Sequence, residues 1–298
     1  MTEPACQYVV INYNAGHLLR AAVESMVVDA AAANDATPSE PLVIVVDNAS
    51  TDGSLDAIRD LPHVRVIEQA NLGYAAGANR GIDATTAPIV AVCNPDLELH
   101  PGATISALSA FTPHDNLAAV GPKILNPDGS VYPSIRLVPK LTDAVGHGIF
   151  GLVWKSNPFT RRYRQLDRDP SLPCEAEWVS GAAIWLRRDA IDRVGGWDAG
   201  YFMYVEDVDL CWRLKRAGFD IRYEPTAVVT HVQGVSTRTR PTAMLRAHHE
   251  SLWRFAKKRL TGWRKVLLPF AWIFLKFRTV ATILEARLHR QRVAARLQ

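Results

Sequence analysis

The stretch 89-IVAVCNPDLEL-99 decides how this chain is read. Its first five residues are an unbroken apolar run, the pattern of a strand buried on both faces. Pro95 cannot donate to a sheet ladder, so the strand should end there, leaving Asn94 and Asp96 side by side at its carboxyl end.

Working outward, 8-YVVINYN-14, 42-LVIVVDN-48 and 63-HVRVIEQ-69 are further short strand-like runs, the first two rich in β-branched residues and ending in polar ones. Between them, 17-HLLRAAVESMVVDAAA-32 has helical spacing at Leu18, Leu19, Ala22, Val23 and Met26, with 30-AAAA-33 as a helix end or loop. A second helical pattern, 74-YAAGANRGIDAT-85, precedes the decisive strand. Strand alternating with helix at this pitch predicts an α/β fold with a largely parallel sheet. Ligands of such sheets collect beyond the carboxyl ends of the strands, where Asp47, Asn71 and Asp96 fall.

Composition narrows the class. The chain has 298 residues, 48% hydrophobic and 21% charged, which argues against extensive disorder. Cys6, Cys93, Cys174 and Cys211 are scattered without a Cys-x-x-Cys pair, against a disulfide framework or zinc site and in keeping with a reducing compartment. The N-terminus runs almost directly into a strand, so no secretory signal is expected. The net charge of +4 hides an asymmetry: from Arg254 onward there are 12 Lys or Arg residues and one acid, Glu285.

Beyond residue 100 the pattern loosens, and 132–170 reads as a long irregular excursion rich in Pro, Gly, aromatic and Arg residues. Regularity returns in 178-WVSGAAIWLRRDAIDRVGGWD-198, 201-YFMYVEDVDLCWRLKRAGFDIRYEP-225 and the strand 227-AVVTHV-232.

The polar segments each admit two readings. Asp47 and Asn48 end a strand before an Asp52-Gly53 turn, or present a carboxylate to a pyrimidine imide. Gly73 and Gly77 serve close helix–strand packing, or open a helix N-terminus to phosphate with Asn79 and Arg80 adding donors. Asn94-Pro95-Asp96 starts a turn, or offers oxygen ligands to a hard divalent cation. His231 is a packed imidazole or a metal ligand. Glu206, Asp207 and Asp209 open a helix that Gly218 stops, with Leu210, Leu214 and Ala217 as its apolar stripe. Three acids in four residues are more than capping requires, and a carboxylate at a cleft edge can serve as a general base.

Taken in order, 45-VVDNASTDGS-54, 71-NLGYAAGANRGI-82, 93-CNPDLEL-99, the segment 178–218 and 230-THVQGVST-237 resemble a family 2 glycosyltransferase of the bacterial rhamnosyltransferase branch. The resemblance implies a GT-A, Rossmann-like fold with helices flanking a mostly parallel sheet. It implies transfer of L-rhamnose from dTDP-L-rhamnose to N-acetylglucosaminyl-diphospho-polyprenol, a lipid-linked sugar of cell-wall arabinogalactan assembly. Asp207 is then the catalytic base, with Glu206 supporting it or touching the acceptor. Asp47, Asn48, Asn71, Gly73, Asn79, Asn94 and Asp96 line the nucleotide-sugar site. Asp96 ends the family's metal motif and, with His231, is expected to hold Mg²⁺ or Mn²⁺. Asn94 departs from the pattern, since many relatives carry Asp there. A different donor sugar on the same mechanism, or a non-catalytic nucleotide-sugar-binding scaffold, are the competing functions; the acidic residues count against the second.

The chain thus divides into a catalytic domain, 1–240, and a basic helical appendage, 241–298. The run 266-VLLPFAWIFL-275 is too short to span a bilayer. Trp263, Val266, Leu267, Phe270, Phe274 and Phe277 share one helical face beside Lys265, Lys276 and Arg278, a pattern suited to an anionic membrane surface. The expected location is peripheral, on the cytoplasmic face of the cell membrane. Packing on the body or on a second copy as a homodimer is the alternative. The aromatic residues follow a helical face instead of forming stacking platforms, so no nucleic-acid partner is expected.

Overall fold

The computed structural model describes residues 4–34, 41–138, 154, 157–165, 167–232, 241–280 and 282. β1 (Cys6–Asn12), β2 (Val43–Asp47), β3 (Val64–Glu68) and β4 (Ile89–Cys93) form the parallel half of the main sheet, in the order β3-β2-β1-β4. The path continues through β11 (Ala183–Arg187), β6 (Leu117–Leu125), β12 (Asp220–His231) and β5 (Leu97–Leu99). Only β11 and β5 run against the rest, so six of these eight strands share one direction.

Alternation along β1 divides the core. Tyr8 and Val10 face one layer with α1 (Leu18–Ala33) and α3 (Ala103–Phe111). Val9 and Ile11 face the other, with α2 (Tyr74–Ile82), α5 (Arg188–Val194) and α6 (Glu206–Arg216). Period-two alternation of wholly apolar residues is what two covered faces require.

The expected helices and strands are present, and α1 runs on through 30-AAAA-33. One strand is longer than expected: β12 starts at Asp220 and passes through Pro225. A register shift between Glu224 and Val228 accommodates that proline without breaking the pairing with β6. Within the excursion, β7 (Val131–Tyr132), β8 (Ile135–Arg136) and the short helix α4 (Pro158–Tyr163) are formed. β8 pairs antiparallel with β10 (Trp178–Val179), while β9 (Cys174–Glu175) pairs with β12. All four cysteines are unpaired.

The division at residue 240 does not separate the next helix, α7 (Pro241–Arg259), from the body. Its Arg254 donates to Asp198 at 2.9 Å, and its Lys258 pairs with Asp198 and donates to fully buried Asp209 at 2.7 Å. Ser251 donates to the Met203 carbonyl, and Phe255 meets Trp212 edge to face. The Lys258–Asp209 pair joins α7 directly to α6, and the pairs with Asp198 join it to the turn after α5. A turn, Gly262–Leu267, then leads into α8 over residues 268–280. Thr279 of α8 bonds His249 of α7. Among the described residues no helix is long and apolar enough to cross a membrane.

Candidate active site

The polar residues gather at one sheet edge, where β1, β2, β4 and β12 end and antiparallel β11 begins. At the end of β2, Asp47 is 2% exposed. Its carboxylate accepts from Asn12 Nδ2 (2.7 Å), Ser50 N (2.8 Å) and Ser50 Oγ (2.6 Å). Both oxygens are engaged, so the residue anchors its own turn as the strand-ending reading requires. Asn12, not foreseen from the sequence, is fully buried at the end of β1 and leaves its Oδ1 without a partner.

Asn48 accepts from Gln69 Nε2 (2.8 Å) and donates to the Gly73 carbonyl (3.2 Å). Asn71 accepts from the Gly73 N–H (3.2 Å). Both position the loop entering α2. Gly73 has φ +95°, and a Cβ there would lie 2.3 Å from the Phe202 carbonyl oxygen. The Tyr74 N–H already donates to that carbonyl, which favours packing over phosphate binding at this end of α2. Asn79, expected to line the nucleotide pocket, donates from its amide to the Trp197 carbonyl (2.8 Å) and accepts from the Trp197 N–H (2.9 Å). With both its groups used, it is a strut between α2 and the turn after α5.

Asn94, Asp96 and His231 do meet. Pairing of Leu97 with His231 across β5 and β12 brings Asp96 and the imidazole together. His231 Nε2 lies 3.0 Å from Asp96 Oδ1 and 3.2 Å from Asn94 Nδ2, while its Nδ1 is buried without a partner. Neighbouring ligands of an octahedral ion with bonds of about 2.1 Å sit about 3.0 Å apart, so Asp96 and His231 fit a hard divalent cation. No group of three or more His, Cys, Asp or Glu residues suited to a metal ion occurs among the described residues. A cation here would draw its remaining ligands from substrate phosphate and water, as Mg²⁺ commonly does.

Glu206 and Asp207 open α6 after two residues in left-handed conformation, Tyr204 (φ 68°) and Val205 (φ 69°). Such a conformation is costly for β-branched Val, and strain of this kind clusters at functional sites. It turns the chain so that Asp207 meets the start of β11: Asp207 Oδ2 accepts from the Gly181 N–H (2.9 Å), and Oδ1 from the Val208 N–H (2.8 Å). A Cβ on Gly181 would lie 2.9 Å from Asp207 Cβ. The same segment holds the other half of the site, because the Ala182 carbonyl accepts from the Asn94 N–H (2.8 Å) and the Gly181 carbonyl from Tyr74 OH (2.7 Å).

The two acids differ in surroundings. Glu206 is 7% exposed with Oε2 unpartnered, and burial, reinforced by the Asp207 charge, pushes its pKa up to about 8. Burial raises the Asp207 pKa as well, but its two N–H bonds and the Arg136 charge oppose the rise. Two neighbouring carboxyls in unlike environments divide into a protonated and an ionised partner. Asp209, the third acid, is spent on Arg213 and Lys258.

Comparison with known proteins gives the family. Residues 8–195 match the model described as Glycosyl transferase family 2, and residues 166–286 match Glycosyl transferase family group 2. The chain is 40% identical over 250 residues to N-acetylglucosaminyl-diphospho-decaprenol L-rhamnosyltransferase of Mycobacterium tuberculosis, covering 80% of each chain. It is 32% identical over 128 residues to rhamnosyltransferase WbbL of Escherichia coli, covering 43% of this chain and 46% of that one. Among solved structures it superposes on mannosyltransferase PcManGT of Pyrobaculum calidifontis, in complex with GDP-Man and Mn²⁺, with TM-score 0.59 and 17% identity. That alignment covers all of this chain and 82% of the other. With its GT-A fold and this family match over most of its length, the chain belongs to glycosyl transferase family 2 and is a glycosyltransferase.

Proposed function

We infer that the chain is an inverting rhamnosyltransferase, moving L-rhamnose from dTDP-L-rhamnose to N-acetylglucosaminyl-diphospho-polyprenol in assembly of the cell-wall arabinogalactan linker. The observation that carries the chemistry is Asp207, held by the Gly181 and Val208 N–H groups beside Glu206. The sugar and acceptor rest on the 40% identity to the mycobacterial enzyme.

In the transfer, Asp207 removes the proton of an acceptor hydroxyl, and that oxygen forms a bond to the anomeric carbon as the bond to the nucleoside diphosphate breaks. The electron pair leaves with the diphosphate, and the configuration inverts. Glu206, protonated near neutral pH, adds no second negative charge beside the base. Asp96 and His231, with Asn94 alongside, are the residues to hold Mg²⁺ or Mn²⁺. When bound, such an ion neutralises charge on the departing diphosphate as a Lewis acid. Asp47, Asn48, Asn71 and Gly73 shape the neighbouring nucleotide side through the turns they fix.

The lipid-linked acceptor requires a membrane, and α8 offers a surface for it. Trp263 in the turn before it and Phe270 and Phe277 on α8 are 78%, 68% and 72% exposed, and Val266, Trp272, Ile273 and Val280 are exposed too. Of the expected apolar face, Leu267 and Phe274 are half-buried instead. An exposed apolar stripe flanked by Arg264, Lys265 and Lys276 suits insertion into an anionic leaflet on the cytoplasmic side. Incubating the purified chain separately with dTDP-L-rhamnose, UDP-galactose and UDP-N-acetylglucosamine, each with lipid acceptor and Mg²⁺, tests the donor. Consumption of dTDP-L-rhamnose alone is expected, and preferential use of a UDP-sugar would reject it.

A further inference from the structure

Arg136 lies on β8, directly across the β8–β10 ladder from Trp178. The strand β10 leads within two residues to Gly181, whose N–H holds Asp207. The guanidinium carbon lies 4.9 Å from the centre of the Trp178 ring, 5.7 Å from Tyr163 and 5.9 Å from Tyr132, and Nη2 donates to Tyr132 OH at 2.9 Å. Three rings from three elements thus hold one planar cation. Its Nε is buried without a partner, so the surroundings do not satisfy every donor of the group they enclose. Such enclosure is more than a surface arginine needs, and none of these contacts neutralises the charge.

Glu206 and Cys211 from α6 itself, Tyr74 from α2 and Arg136 from β8 interact electrostatically with Asp207. Of these four, Arg136 is the cation. Glu206, Cys211 and Tyr74 all become negative on ionisation, so each would raise the cost of a charged Asp207. A guanidinium stays protonated throughout the working pH range, which makes Arg136 a fixed charge opposing that cost.

We propose that Arg136 is a positioning residue that makes Asp207, and not Glu206, the ionised member of the carboxylate pair. The cage of Tyr132, Tyr163 and Trp178 fixes where the charge sits, and the β8–β10 ladder fixes its distance from the Gly181 N–H that orients the same carboxylate. The inference rests on Asp207 acting as the base. Loss of Arg136 would leave only the Gly181 and Val208 N–H bonds to support a charged Asp207 against burial and the repulsion of Glu206, and its proton would be held more tightly.

The test is the pH dependence of kcat/KM for full-length wild type, Arg136→Gln, Arg136→Lys and Asp207→Asn, with nucleotide binding and melting temperature measured on each. Removing an opposite charge near a carboxylate raises its pKa by about 1–3. Arg136→Gln should therefore move the acid limb upward by about one pH unit or more, a roughly tenfold loss at low pH that shrinks as pH rises. Arg136→Lys keeps the charge but not the planar stacking, so its limb should lie between wild type and Arg136→Gln. A loss equal at every pH in either variant, or an unmoved acid limb, overturns the proposal; if Arg136→Gln does not fold, the Arg136→Lys limb decides alone. Turnover retained in Asp207→Asn would remove the base itself, a failure distinct from an inactive Asp207→Asn beside an Arg136 variant with an unmoved limb.

Discussion

His231 Nε2 lies 3.0 Å from Asp96 Oδ1, although 135 residues separate them in the chain. The β5–β12 ladder makes the contact, pairing Leu97 with His231 so that a residue just before one strand meets the last residue of the other. Asp96→Ala should abolish metal-dependent tightening of nucleotide binding, while His231→Ala should weaken it less. Calorimetric titration of nucleoside diphosphate with and without Mg²⁺ checks this; wild-type binding and turnover that are indifferent to chelator would contradict it.

Asp207→Asn removes the proton acceptor and keeps the shape of the side chain. Base catalysis contributes about 10²–10⁴-fold, so turnover should fall by that order with nucleotide affinity near normal. Stopped-time product assays beside nucleotide titration separate the two effects.

Gly181→Ala should act on the same carboxylate from the other side. Its Cβ would lie 2.9 Å from Asp207 Cβ, and the contact can be relieved only by moving α6 or the start of β11. Turnover should fall at least tenfold, the scale of loss expected from a small displacement in a reacting geometry. Wild-type turnover in a folded Gly181→Ala protein would show that the close approach is unimportant.

Glu206 gives a stability signature. Its pKa of about 8 lies above the ordinary 4.5, so over that interval the folded chain holds a proton that the unfolded chain releases. The associated stability is intact below about pH 4.5 and is lost as pH rises through about 8. Glu206→Gln mimics the protonated form and escapes the loss. Its melting temperature should exceed wild type at pH 9 and converge with it at pH 5; a gap independent of pH would contradict this.

The exposed apolar residues of α8 and of the turn that leads into it predict membrane binding. Replacing Trp263, Phe270 and Phe277 together by Ser in the full chain should reduce flotation with anionic liposomes severalfold while leaving the melting temperature near wild type, because these side chains are already exposed. Equal flotation would reject α8 as the docking surface.

The parallel half of the sheet was legible because its strands are apolar on both faces and end in polar residues, as at Val46-Asp47 and Val92-Cys93-Asn94. Asp96, His231, Glu206 and Asp207 were legible as strand-end and helix-start residues, though not which acid stays ionised; that depends on Gly181 and Arg136, remote in sequence. Asn79 reads as a donor for the nucleotide from its place near the start of a helix and from the resemblance, while the partner it has in the fold, Trp197, lies 118 residues away and was not legible. The boundary at residue 240 followed the end of the matching motifs near residue 237. The contacts of Arg254 and Lys258 on α7 with Asp198 and Asp209 were not legible in the sequence because their partners lie 56 and 49 residues away.

The most direct test is to incubate the purified chain with dTDP-L-rhamnose, Mg²⁺ and N-acetylglucosaminyl-diphospho-polyprenol, then determine the mass and anomeric configuration of the lipid product. A single added rhamnose, in the configuration opposite to that of the donor, is predicted. Retention of the donor configuration, or no transfer to this acceptor by an enzyme that transfers another sugar to it, would contradict the account.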